Sequence, residues 1–465
     1  MLGSNLKSLN FLDYFVFFLI LGITFYAVWW GNHRKKLKKQ TSIIDHLLMG
    51  RMLTLPMFIA TLVATWYGGI FGVTEIAFNN GIYNLITQGV FWYVSYLIFA
   101  LFLLPKVYSK ESVTLPNLIE NTIGPRSAKL SSLFNFINIL PISYTIGLGL
   151  FLKTLFNLDL SISMLLGLAV VLSYSFKGGF RSVVFSDMVQ FFVMCFSVAF
   201  VLIFSIINFG SWDYLTSHLP ESYFSPFGNQ PLLEVFAWGL IALSTLVDPN
   251  FYQRCFAASS EKVARKGILT STLIWFLFDI CTTFGAMYAK AAMPQADSSG
   301  AYLAYSLDLL PNGLKGFFLA GILATVLSTL DSYLFLSGTT FSYDILKKRN
   351  QNGIKFHRIG LVCSGLLAYI LALTFEGNIK AVWKSLGGLS ASCLLFPVLF
   401  SQFSNRKPSD KQFFFACILS AITVCSWPLM KKPLGLEIID SLYVGVLVSF
   451  SCLTLFKFKN LSSQR

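Results

Sequence analysis

Charge is scarce in this sequence. Only 12% of its 465 residues are Asp, Glu, Lys or Arg, against about 25% in an ordinary soluble domain. Apolar residues make up 55%, and the mean hydropathy is +0.67. A chain so composed cannot coat the cores it would form, which excludes a soluble enzyme, a nucleic-acid binder and a disordered chain as whole-chain readings. Histidine is scarcer still. The four residues, His33, His46, His218 and His357, lie between apolar runs and imply no metal cluster. The eight cysteines all fall within or at the ends of apolar runs, with no CxxC or zinc spacing, and read as core filler. An export-signal pattern is missing too. The first apolar run, 11–30, is followed rather than preceded by the basic stretch Asn32–Gln40, and it reads as a retained span with its N-terminus outside.

What the chain does have is long apolar runs, and a bilayer span takes about 20 such residues. Runs recur at 11–30, 54–79, 84–105, 132–156, 160–176, 183–207, 231–256, 267–288, 314–340, 359–376, 380–403, 412–429 and 438–456. None alternates, so helices are expected: an all-α polytopic protein with about 13 transmembrane helices. With the N-terminus outside, the inner loops are 31–53, 106–130, 177–181, 254–266, 347–358, 404–411 and the tail from 457. They hold 27 of the 35 Lys and Arg residues. This is the bias of a multi-pass protein of the cell membrane with a cytoplasmic C-terminus. It accounts for the net charge of +14 without a nucleic-acid partner.

Function is read from where spans break. Gly68, Gly69 and Gly72 cluster inside the second span, and each glycine weakens a helix by roughly 1 kcal/mol. They predict an unwound turn; the alternative is close helix packing through small residues. In the seventh span Pro249 removes a backbone donor beside Asp248, a charge costing at least ~2.5 kcal/mol at mid-depth. A cavity, partner or ligand is implied; the alternative is a kink with a capped acid. The breaks lie five spans apart, so two five-helix units of opposite orientation, 54–207 and 231–403, are expected. The run 11–30 would precede them and two helices over 412–456 would follow. In the ninth span Thr325, Ser328 and Thr329 share one helical face and offer hard neutral oxygens for Na⁺; the alternative is bonding to their own helix.

Six segments, in order, resemble the sodium/solute symporter family. They are DHLLMGR (45–51), TLVATWYGGIFG (61–72), TLPNLIENTIGPRSAKL (114–130), GGFRSVVFSDMVQ (178–190), YQRCFAA (252–258) and residues 324–345. The resemblance implies a LeuT-like core of ten helices, one before it and two after, and coupled uptake of Na⁺ and a small organic solute. It also implies a Na⁺ site made of the carbonyls of Ala64, Tyr67 and Thr325 and the hydroxyls of Ser328 and Thr329. Asp187 matches a family carboxylate near the sodium exit path; the alternative is pairing with Arg181. Phe185 and Ser186 depart from the family's usual Trp-Thr, Gly68 stands where the family often has a polar residue, and Asp248-Pro249 occupies a region where family members commonly place substrate-binding polar residues.

The solute is expected between the two breaks, near Gly68, Gly69, Glu75, Gln88, Asp248 and Asn250, with Trp66, Tyr67 and Phe251 stacking on it or gating it. Alternatively, Gln88 makes an interhelical bond and Glu75 sits at the outer interface. The function expected is Na⁺-coupled symport by alternating access. The alternatives are a proton-coupled or uncoupled carrier, with Asp248, Asp279 and Asp331 as a relay, or a transporter-like membrane sensor. No catalytic cluster suggests a membrane enzyme.

Overall fold

A computed structural model describes residues 9–37, 42–108, 111–175 and 179–462. Lys38 and Lys39 of the basic stretch, and Lys177 and Gly178 before the sixth span, lie outside the described residues. The described chain forms thirteen apolar helices: α1 (Phe11–His33), α2 (Leu55–Asn80), α3 (Leu85–Val107), α4 (Pro125–Phe156), α5 (Leu160–Ser175), α6 (Phe180–Phe209), α7 (Leu232–Ala257), α8 (Glu261–Ala292), α9 (Leu314–Ile345), α10 (Gly353–Thr374), α11 (Ile379–Phe403), α12 (Asp410–Met430) and α13 (Ser441–Leu455). Eleven are long and apolar enough to cross a bilayer; α5 and α13 are shorter. Polar first turns extend α4 and α8 several residues before their apolar runs. In α8 the extension is capped by Ser260, whose hydroxyl accepts the Val263 N–H at 3.2 Å.

Three helices are interrupted. In α2 the helix Leu55–Ala64 ends at a turn, passes through a 3₁₀ turn at Tyr67–Gly69 and resumes at Ile70. In α7 the helix Leu232–Ala242 tightens to 3₁₀ over Leu243–Val247 and stops at Asp248 (φ −77°, ψ 118°). A new helix, Pro249–Ala257, starts there with proline at its first position and the Asp248 carboxylate accepting the Asn250 N–H at 2.7 Å. The third break, at Ile139–Pro141 in α4, was not anticipated.

Two hydrogen bonds fix the relation of α2 to α7. The Leu53 N–H donates to Ala257 O at 3.0 Å, and the Ser259 N–H donates to Leu53 O at 3.1 Å. The start of α2 therefore meets the end of α7, and the two helices run in opposite directions. Each break lies nine or ten residues from this junction, about 15 Å, or half the thickness of a bilayer's hydrocarbon core.

The flanks are tied down by polar contacts. Asp13 of α1 accepts the N–H groups of Gly313 and Gly316, at 2.6 and 3.3 Å, at the start of α9, where the helix dipole favours a carboxylate. At the face carrying the basic loops, Glu120 of the short helix Leu115–Thr122 pairs with Lys347 (2.6 Å) and Arg349, which hold its carboxyl below the usual range. At the opposite face the 208–230 loop folds back, and Tyr223 O accepts the Ile82 N–H at 2.8 Å. Gly81 permits that approach: its φ is +59°, and a Cβ would lie 2.2 Å from Tyr223 O.

Candidate functional site

The break in α2 faces α9. Ser328 Oγ donates to Ala64 O at 2.7 Å, and Thr329 Oγ1 lies 3.3 Å from the same carbonyl. Both hydroxyls also approach Thr325 O, at 3.2 and 3.1 Å. Ala64, Thr325, Ser328 and Thr329 are fully buried. The Thr325 side chain turns away, to Gly321 O at 2.6 Å, so only its carbonyl faces the cluster. Tyr67 O accepts the Ile70 N–H inside the 3₁₀ turn, while the phenol reaches Trp275 O on α8 at 3.2 Å. The glycines allow this closeness as well as the turn. A Cβ on Gly68 would lie 2.4 Å from Thr329 Cβ, and one on Gly69 would lie 2.0 Å from Trp383 Cζ2.

A cavity of roughly 120 Å³ lies where the breaks in α2, α4 and α7 meet α3, α9 and α11. Of the residues expected at the solute site, Gly69, Gln88 and Asp248 line it, as do Trp66 and Tyr67. Gln88 sits on a π-helical turn, Leu85–Val90, and its Nε2 has no hydrogen-bond partner, contrary to the interhelical alternative.

The other expectations fall elsewhere. Gly68 is covered by Thr329 and Tyr144. Glu75 pairs with Lys380 of α11 at 3.1 Å, and Glu234 pairs likewise with Lys384 at 2.8 Å, both beyond the cavity. Asn250 is fully buried below it, accepting from Arg254. Phe251 is also fully buried, edge-on to Trp66 at 5.9 Å, and does not line the cavity.

Sequence reasoning missed Trp92, Asn138, Ser143, Tyr144, Tyr333 and Trp383 in the lining. Pro141, mid-span, was the readable signal for the α4 contributions.

Towards the basic face the space below the Ala64 carbonyl is filled. Thr61 donates to Asp187, whose carboxylate lies 4.0 Å from Arg254 Nη2. Arg254 also donates to Thr61 Oγ1 and to Ser332 Oγ, each at 3.1 Å. Both Asp187 and Arg254 are fully buried, although the sequence reading had placed Arg254 in a loop. Arg181 instead approaches Asp45, at 3.6 Å. Six residues carry a helix about 1.7 turns, so Arg181 and Asp187 point from different faces of α6. The three carboxylates of the relay alternative have separate partners: Asp248 with Tyr333, Asp279 with Tyr93, Asp331 with Tyr174 and Ser175.

The chain is 25% identical over 288 residues to the sodium/pantothenate symporter of Haemophilus influenzae, spanning 58% of this chain and 59% of that protein. It is 23% identical to the sodium/glucose cotransporter of Vibrio parahaemolyticus over 97% of this chain and 92% of the other. It is 22% identical to the sodium/proline symporter of Staphylococcus aureus over 94% and 90%. Its fold matches a solved structure described as the substrate-bound outward-open state of a Na⁺-coupled sialic acid symporter. That match has a TM-score of 0.77 at 16% identity and covers 96% of both chains. The profile of the Sodium:solute symporter family matches residues 46–411. The chain is thus a multi-pass membrane transporter, not an enzyme, and belongs to the Sodium:solute symporter family.

Proposed function

We propose that the protein carries a small organic solute into the cell together with Na⁺. The ion would be held by the carbonyls of Ala64, Tyr67 and Thr325 and the hydroxyls of Ser328 and Thr329, and Asp187 would lie beside its exit path. The observation that carries this reading is the meeting of the Ser328 and Thr329 hydroxyls with Ala64 O, at 2.7 and 3.3 Å, across a broken helix. Oxygens that converge on a carbonyl freed by a helix break suit a small hard cation. The relatives' names support coupling to sodium but point to three unlike solutes, so they do not select one.

On this reading the units 54–207 and 231–403 rock against each other, with 11–30 and 412–456 as additions. The basic face is cytoplasmic and the N-terminus is outside. Na⁺ bridging α2 and α9 stabilises the outward-open form and orders the turns that bind solute. One charge moving inward across 100 mV releases about 2.3 kcal/mol, enough for about 50-fold accumulation. The coupling is reciprocal, so solute raises sodium affinity by the same factor.

Thermal unfolding of the purified protein in Na⁺ against K⁺, at fixed pH and ionic strength, tests the site. A ligand at 100 times its Kd stabilises by about 2.7 kcal/mol. The expected result is saturable stabilisation by Na⁺ that is absent from Ser328→Ala/Thr329→Ala. Equal stabilisation of that variant would overturn the assignment.

A further inference from the structure

Among the described residues lining the central cavity there is one carboxylate, Asp248, set among the rings of Trp66, Trp92, Trp383, Tyr144 and Tyr333. The residue is only 8% exposed. Its Oδ1 accepts the Asn250 N–H, and its Oδ2 lies 3.4 Å from the Tyr333 hydroxyl, a long contact. The base nearest along α7, Arg254, lies outside the cavity lining, bonded to Thr61, Asn250 and Ser332 and close to Asp187, although its charge also acts on Asp248. Among the described residues, no Lys, Arg or His lines the cavity. A carboxylate at this depth therefore faces an aromatic chamber without a protein counter-ion in it.

We propose that the solute presents a cationic nitrogen to Asp248. The inference rests on the symporter reading and narrows its solute class. A carboxylate at mid-membrane is costly and calls for a cavity, a partner or a ligand; a cationic nitrogen would meet that need, and tryptophan faces are the strongest aromatic partners of ammonium groups. The same chamber disfavours an anionic solute, which would meet a like charge and no base. Gln88 adds specificity. Its Nε2 donor is buried, unpaired and on the cavity wall, placed for an oxygen on the same molecule. Size sets a further limit, since a cavity of about 150 Å³ takes benzene. The space here, roughly 120 Å³, is of that order and suits a small solute. The chemistry is that of a small oxygen-bearing amine or quaternary ammonium ion.

The test pairs ammonium ions with neutral isosteres on the purified full chain in saturating Na⁺: choline against dimethylbutanol, ethanolamine against propanol, with glucose and acetate as neutral and anionic references. Binding is read as a thermal shift and as displacement of radiolabelled choline. The expected result is an ammonium preference of at least tenfold in at least one pair. In Asp248→Asn that preference falls to within threefold, while the shift produced by Na⁺ alone persists and reports an intact fold. A panel in which no ammonium ion outdoes its isostere overturns the proposal, as does a preference for glucose or acetate. Loss of the Na⁺ shift in Asp248→Asn would assign the carboxylate to sodium and also overturn it. Absence of a Na⁺ shift in the unaltered protein is a separate failure, that of the symporter reading itself.

Discussion

In α2 the break frees a neutral carbonyl, that of Ala64, and two hydroxyls from α9 close on it. In α7 the break carries a carboxylate, Asp248, which caps the helix that follows and faces the aromatic cavity. The sequences explain the contrast. Small residues at Gly68 and Gly69 let α9 and α11 come close enough to fill the first break with protein oxygens and Trp383. Pro249 ends the preceding helix without such an approach, so the second break keeps a charge and a space. On the proposed reading, one interruption would take a bare ion and the other a larger molecule. Below both, Arg254 joins the inner halves through Thr61 and Asn250.

Arg254→Met gives the largest expected effect. Removing one member of a buried charge cluster costs about 3–5 kcal/mol. The folded fraction recovered in detergent should fall sharply, and Asp187→Asn in the same chain should restore much of it. Gly68→Ala comes next. The new methyl would meet Thr329, and overpacking of this kind costs about 1–3 kcal/mol. Apparent sodium affinity should drop about tenfold in sodium titrations, with solute selectivity unchanged. Gln88→Ala should do the reverse, weakening solute by about two- to tenfold through one lost hydrogen bond while the sodium titration stays put. Neutralising the partly exposed outer pairs with Glu75→Gln and Glu234→Gln should matter least. Each is worth under about 1 kcal/mol, and the change in solute uptake should shrink as KCl is added at constant Na⁺.

Much of this was legible before any coordinates. The apolar runs located the helices because lipid leaves the backbone few options. Gly68-Gly69 and Asp248-Pro249 marked two of the three breaks. Pro141 marked the third with the same chemistry, in a span that carried no neighbouring charge or glycine to draw attention to it. The hydroxyl face of α9 was readable from helical periodicity alone. Long-range pairing was not. Glu75 meets Lys380, and Asp187 meets Arg254, because helices distant in sequence pack together. Local spacing does not encode the rotation of α11 that brings Trp383 over Gly69 and Gly72. The π-helical turn that aims Gln88 into the cavity has no pattern of its own in the sequence either.

The contrast between the two breaks reduces to which of them holds the ion. Equilibrium binding of radiolabelled sodium to the purified protein, with solute absent, decides it. The expected result is a saturable component lost in Ser328→Ala/Thr329→Ala and retained in Asp248→Asn. Retention in the first variant, or loss in the second, would contradict it.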